Sequence, residues 1–218
     1  MQSIKYSTAR GIIWSFIERF SVQGIQFIFQ IILARLLSPS DYGIIAMLAI
    51  FMAISQSLID AGFTNALIRK NDRSDLDIST VFYFNIFISI IIYIILFLSA
   101  PAISVFYNSP LLISIIRVYA IVLLINALGA IQKTINTINL DFKSLAKASL
   151  VAALISGLIG IYFAVQGFGA WALVYSAIGN SLITTLIMWI NSPWRPQLVF
   201  SMVSLRQMFA FGSKLMLA

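Results

Sequence analysis

Ser15, Arg19, Gln23, Gln26 and Gln30 recur at spacings of four, four, three and four in an otherwise apolar stretch. On an α-helix of 3.6 residues per turn they form one stripe under ~100° wide, with Glu18 beside it. A guanidinium and three carboxamides on one face suit an anion and a set of hydroxyl groups, or the polar groups of neighbouring helices. Hydrocarbon cannot solvate such a stripe, since unpaired polar groups cost several kcal/mol there. Five polar positions, Arg19 among them, with Glu18 as a second charge exceed what helix packing needs, which favours an aqueous, substrate-accepting cavity. Asp60 on the second helix lies at a depth similar to that of Arg19, so Arg19, Glu18 and Asp60 are expected to share one charge cluster in the inner half of the bundle. The competing reading has Arg19 snorkelling to the headgroups with Glu18 paired to it.

Other chemistry is scarce. The sequence has no Cys and no His, which removes thiol nucleophiles, imidazole bases and zinc sites built from those ligands. An enzyme is not expected, and no cofactor is implied. The net charge of +7 comes from basic residues scattered singly between apolar runs, a pattern that speaks for membrane topology and not for nucleic acid.

These residues need helices in lipid to hold them. Of the 218 residues 61% are hydrophobic and only 10% charged, whereas a water-soluble domain carries about 25% charged residues. The stretches Ile78–Ile116 and Ala148–Trp194 hold no charge at all. Each is roughly twice the ~20 residues that span a bilayer core. The reading is an all-α polytopic membrane bundle, with spans at about residues 11–36, 42–68, 77–100, 110–134, 144–165 and 169–190 and a seventh beginning near Leu205. The organisation is therefore a six-helix lobe over 1–190, a cytoplasmic linker over 191–204 and the start of a seventh helix over 205–218.

Capping chemistry marks the helix starts. Ser38, Pro39 and Asp41 supply an N-cap hydroxyl, a first-turn proline and a carboxylate; Ser74 with Asp77, Ser109 with Pro110 and Ser204 with Gln207 repeat all or part of this. A cytoplasmic N-terminus places Lys5, Arg10, Arg69, Lys70, Arg73, Lys133, Lys143, Lys147, Arg195, Arg206 and Lys214 inside, with Arg35 and Arg117 outside. Residues 33–43 are then a short external turn. The apolar stretch from Trp194 to Met208 is either a plain linker or a segment lying along the membrane surface. Ala148, Ala152, Ser156, Gly160 and Ala164, with Gly157, form a small-residue stripe for close helix packing. Weaker polar faces comprise Gln56, Asp60 and Thr64; Asn85 and Ser89; and Ser176, Asn180 and Thr184.

The stretches "WSFIERF" (Trp14–Phe20), "LARLLSPSDYG" (Leu33–Gly43), "LIDAGFTNALIRK" (Leu58–Lys70), "GFGAWALV" (Gly167–Val174) and "FGSKL" (Phe211–Leu215) make the chain resemble the Wzx-type O-antigen and exopolysaccharide flippases, WzxC-like branch, of the multidrug/oligosaccharidyl-lipid/polysaccharide exporter superfamily. The resemblance implies the first lobe of a MATE-like two-lobe transporter in a bacterial inner membrane. It also implies an undecaprenyl-diphosphate-type lipid-linked oligosaccharide as substrate, flipped by alternating access. Arg19 is then the first candidate for the diphosphate, with Gln23, Gln26 and Gln30 for sugar hydroxyls. The expected partners are this lipid, membrane lipids and a C-terminal lobe, without which the chain is not expected to transport. A cation-coupled multidrug exporter, a membrane glycosyl transferase or polymerase, and a non-transporting scaffold or remnant are the alternatives.

Overall fold

The computed structural model describes residues 20–60, 67–68, 72–206 and 208. Among the described residues seven helices longer than two turns follow one another: α1 (Phe20–Leu36), α2 (Pro39–Asp60), α3 (Asp75–Phe106), α4 (Leu111–Tyr119), α5 (Ile121–Ile138), α6 (Phe142–Val165) and α7 (Ala170–Asn191). Among the described residues α2, α3, α6, α7 and the pair α4–α5 are each long and apolar enough to cross a membrane. The fourth expected span is thus two helices meeting at Ala120. Large apolar side chains face outwards, including Phe87, Leu98 and Leu158, between 59% and 71% exposed, as lipid-facing surfaces must.

The order of packing follows from side-chain size. α7 touches α2, α4, α5 and α6, and its contact with α6 is the most extensive in the bundle. The small stripe of α6 makes this possible: Ala148, Ala152, Ser156, Gly157, Gly160 and Ala164 are all buried. A Cβ on Gly160 would stand 3.1 Å from Ser176 Cβ, so the two backbones leave no room for a larger residue. Polar bonds lock the register, with Ser176 Oγ donating to the Ser156 carbonyl at 2.8 Å and Asn180 Nδ2 to Ser156 Oγ at 3.2 Å. The main apolar core joins Leu48 and Ile59 of α2, Ile92 and Leu96 of α3, Leu112 and Ile115 of α4, and Val174 of α7.

Ser74 and Asp77 form a full capping box at α3. At α2 the Asp41 amide donates to Ser38 Oγ at 3.3 Å, while Asp41 Oδ2 accepts from the Ser38 amide at 2.9 Å. At Pro110 there is no side-chain cap; Ser109 contributes its carbonyl, which accepts from Ser104 Oγ at 2.8 Å. The helical turn over 202–206 starts earlier than the Ser204 pattern suggested, because the Ser204 amide donates to Ser201 Oγ at 3.2 Å. α6 is capped by Asp141, which accepts from the Ser144 amide.

Asp41 also ties two distant motifs together. Its carboxylate accepts from the Ala170 amide, and a Cβ on Gly169 would lie 2.7 Å from Asp41 Oδ1. Gly169 has φ +55, the left-handed region that favours glycine. One carboxylate therefore serves the first turns of α2 and α7, where helix amides are unpaired and the dipole favours negative charge. Asp41→Ala is expected to cost about 1–2 kcal/mol, measured as a lower melting temperature in detergent, and Gly169→Ala to add backbone strain to the lost fit.

Candidate substrate cavity

Consecutive helices usually pack on each other, yet α5 and α6 touch only sparsely; both pack on α7 instead. The gap between them is a half-open cavity of about 790 Å³, closed on its other sides by Val22 and Gln26 of α1 and Gln56 of α2. α5 contributes Asn126, Gly129, Ala130, Lys133 and Thr137, and α7 contributes Asn180, Ser181, Thr184, Thr185 and Met188. On each helix these positions fall on one face.

Hydrogen bonds set the walls. Gly129 lets α5 approach α7, for a Cβ there would be 2.7 Å from Thr185 Oγ1. Thr185 Oγ1 donates to the Ile125 carbonyl at 3.2 Å, and Trp189 Nε1 to the Leu128 carbonyl at 2.9 Å. Asn126 Nδ2 donates to Gln56 Oε1 at 3.3 Å, joining α5 to α2 at the cavity edge. Apolar groups such as Phe142, Leu145 and Met188 share the lining with a polar part that is amide and hydroxyl with one cation, Lys133, and no carboxylate among the described residues. No group of metal-ligating side chains occurs among them either. Such a surface attracts an anion and bonds to hydroxyl groups.

The residues expected from sequence are distributed as follows. Gln26 lines the cavity, while Gln23 and Gln30 are exposed on α1. Arg19 and Glu18 lie outside the described residues, as does the side chain of Asp60. Gln56, Asn180 and Thr184, each noted as part of a polar face, meet here. Asn85 and Ser89 do not: both are fully buried in the bundle. Asn85 on α3 and Gln132 on α5 keep both amide atoms unpaired and buried. Asn126, Lys133, Thr137 and Ser149 were missed. The signal was present in the spacing of Asn126, Lys133 and Thr137, which returns to one helical face, but a lysine near a span's end reads first as a topology marker.

An all-α, multi-pass membrane bundle with a hydrophilic, cation-bearing cleft has the architecture of a membrane transporter. The chain belongs to the polysaccharide biosynthesis protein family, whose description matches residues 32–218. It is 24% identical to the succinoglycan biosynthesis transport protein ExoT of Rhizobium meliloti (strain 1021), over 94% of this chain and 42% of that protein. It is 26% identical to the teichuronic acid biosynthesis protein TuaB of Bacillus subtilis (strain 168), over 98% of this chain and 44% of that one. To the lipopolysaccharide biosynthesis protein WzxC of Escherichia coli (strain K12) it is 24% identical, over 97% and 43%. The chain thus spans less than half the length of these relatives. No solved structure matches it. Four of the five motifs fall within the matched region; Trp14–Phe20 precedes it.

Proposed function

We propose that this chain is the cavity-bearing lobe of a flippase that carries a lipid-diphosphate-linked oligosaccharide, of the undecaprenyl type, across a bacterial cytoplasmic membrane. The observation that carries the reading is the 790 Å³ cleft, whose polar lining among the described residues is neutral amides and hydroxyls around one cation, Lys133. Its volume is in the range of small-molecule sites, about 300–1,000 Å³, and suits one or a few sugar rings. In this reading Lys133 attracts the diphosphate, Gln26, Asn126 and Asn180 bond sugar hydroxyls, and the lipid tail stays in the bilayer. Arg19, seven residues before Gln26, is retained as a second diphosphate ligand on its sequence stripe, with Glu18, Gln23, Gln30 and Asp60 as the polar rim. Alternating access requires a second lobe against which this one rocks.

The basic residues support the orientation. Lys133, Lys143, Lys147, Arg195 and Arg206 belong to the cavity end of the bundle, and Arg35 and Arg117 to the other. By the positive-inside rule the cleft opens to the cytoplasm and the N-terminus is cytoplasmic. The multidrug alternative is less well supported, because Lys133 inside the cleft disfavours the organic cations that many such exporters carry.

Ala130→Trp provides the test. Ala130 lines the cavity, and an indole there occupies the space meant for a sugar while leaving Lys133 in place. In cells carrying the whole protein, lipid-linked oligosaccharide is expected to build up on the cytoplasmic leaflet at least tenfold over the unsubstituted protein. Normal transfer with the tryptophan in place, at equal protein level, removes the cleft from the transport path.

A further inference from the structure

The segment after α7 has no regular structure from Ser192 to Ser201, yet it is firmly held. The Gln197 amide donates to Ser79 Oγ at 3.2 Å and the Ser201 amide to Thr80 Oγ1 at 3.1 Å. Both hydroxyls are fully buried, so this strap covers the first turns of α3. Trp194 lies 5.8 Å from the Phe82 ring, and Arg195 folds back, its Nη1 donating to the Ser192 carbonyl at 2.6 Å and the Trp194 carbonyl at 2.9 Å. Further on, Met208 is buried with Ile78, Val81 and Phe82.

Against this anchorage the outer side of the strap is apolar. Leu198 is 94% exposed, Met202 71%, Val203 67% and Phe200 49%. Four large apolar side chains, on a loop fixed at two amides and on the helical turn that follows it, are out of place in water.

Their level explains them. Ser79 and Thr80 lie four and five residues after Asp75, so ~6–7.5 Å along α3 at 1.5 Å per residue. α3 has 32 residues, about 48 Å of helix, against a hydrocarbon core of ~30 Å. The excess, together with Asp75 and Asp77 in its first turn, sets the start of α3 among headgroups and Ser79–Thr80 at the boundary with the acyl chains. Lys143, Lys147 and Arg206 are exposed at the same end of the bundle, a charge match for anionic headgroups.

We propose that residues 192–206 are a membrane-surface anchor: Ser79 and Thr80 bolt the strap to α3, and Leu198, Phe200, Met202 and Val203 insert into the phospholipid monolayer beside it. The partner is the lipid surface itself, not a protein groove or a substrate. The anchor holds the exit of α7 at a fixed depth, so that motion of whatever follows the strap pulls on α3 and not on a slack loop.

The absence of cysteine from the chain makes the test clean. Nitroxide labels at Leu198→Cys and Val203→Cys, in bilayers of phosphatidylethanolamine and phosphatidylglycerol, are compared with one at Asp72→Cys, an exposed site at the same end. The two strap labels are expected to collide with oxygen several-fold more, relative to a water-soluble nickel chelate, than the Asp72 label does. Equal nickel access at all three sites would put the strap in water and overturn the proposal. Exclusion of both reagents would mean that protein covers it, which also overturns the proposal. In Thr80→Val, which removes one acceptor at nearly constant volume, the Leu198 label is expected to become more mobile; an unchanged line shape would refute the bolt.

Discussion

Lys133→Glu is expected to abolish binding of a diphosphate lipid by this protein, Lys133→Ala to weaken it about tenfold to hundredfold, and Lys133→Arg to preserve most of it. The scale comes from Coulomb's law: two unit charges 4 Å apart attract by about 1 kcal/mol in bulk water and about 4 kcal/mol at an effective permittivity near 20. Lys133 is an exposed side chain in a half-open cleft, so its contribution lies between these limits and weakens with salt. Reversal replaces the attraction with a repulsion of similar size, and no described acidic residue of the lining is available to release a compensating cation. Arginine keeps the charge and adds a fork of donors suited to phosphate. Titration of the detergent-purified protein with a fluorescent undecaprenyl-diphosphate saccharide checks this, with a neutral lipid-linked saccharide as control. Equal affinity of all four proteins would detach Lys133 from the diphosphate, whereas equal weakening of charged and neutral ligands would make it a structural residue.

The helices were legible because hydrocarbon leaves few choices. A charge-free run such as Ile78–Ile116 must cross and return, and its caps must satisfy helix-end amides, so Ser74 and Asp77 gave the start of α3 to within a residue or two. The small-residue stripe of α6 was equally plain, since six small residues at helical spacing have little other use in lipid. The cavity was only half legible. Helical periodicity put Gln23, Gln26 and Gln30 together, but their place depends on where α1 leans, and only Gln26 meets the cleft. Lys133 and Asn126 were hidden because α5's polar face becomes a wall only through the gap between α5 and α6, which is a fact of tertiary packing. The strap shows the same limit: Ser79 and Thr80 look like ordinary helix residues until the amides of Gln197 and Ser201 arrive from more than a hundred positions away. Asp41 was read as the cap of one helix, and nothing local told of its second bond to the start of α7.

Gly157→Leu is expected to loosen the same cleft from a distance, and Phe29→Ala to restore it. The Phe29 ring of α1 occupies the space where a side chain on Gly157 of α6 would begin, with ring atoms as its nearest neighbours. An aromatic ring cannot bend aside as the end of a long side chain can, so α1 itself must move. Overpacking of this kind costs about 1–3 kcal/mol. Between helices in a membrane no hydrophobic effect compensates the lost fit, because lipid receives the displaced surface as readily as protein does. α1 also packs through Leu33, which meets Ala164 and Ala172 and lies 3.4 Å from the Cβ position of Gly160. Gln26 stands on α1 within one turn of Phe29, so a displaced helix also carries a cavity wall away. The substitution should thus lower both the melting temperature in detergent and the affinity for a lipid-linked saccharide. Phe29→Ala alone should destabilise by emptying the notch, yet in combination with Gly157→Leu the leucine fills the vacated volume and both readouts recover. That is a coupling between the two sites, against the additivity expected of residues that do not touch. If the double variant is as unstable as the sum of the singles, the contact does not hold α1 in place, and the position of Gln26 in the cleft loses its structural support.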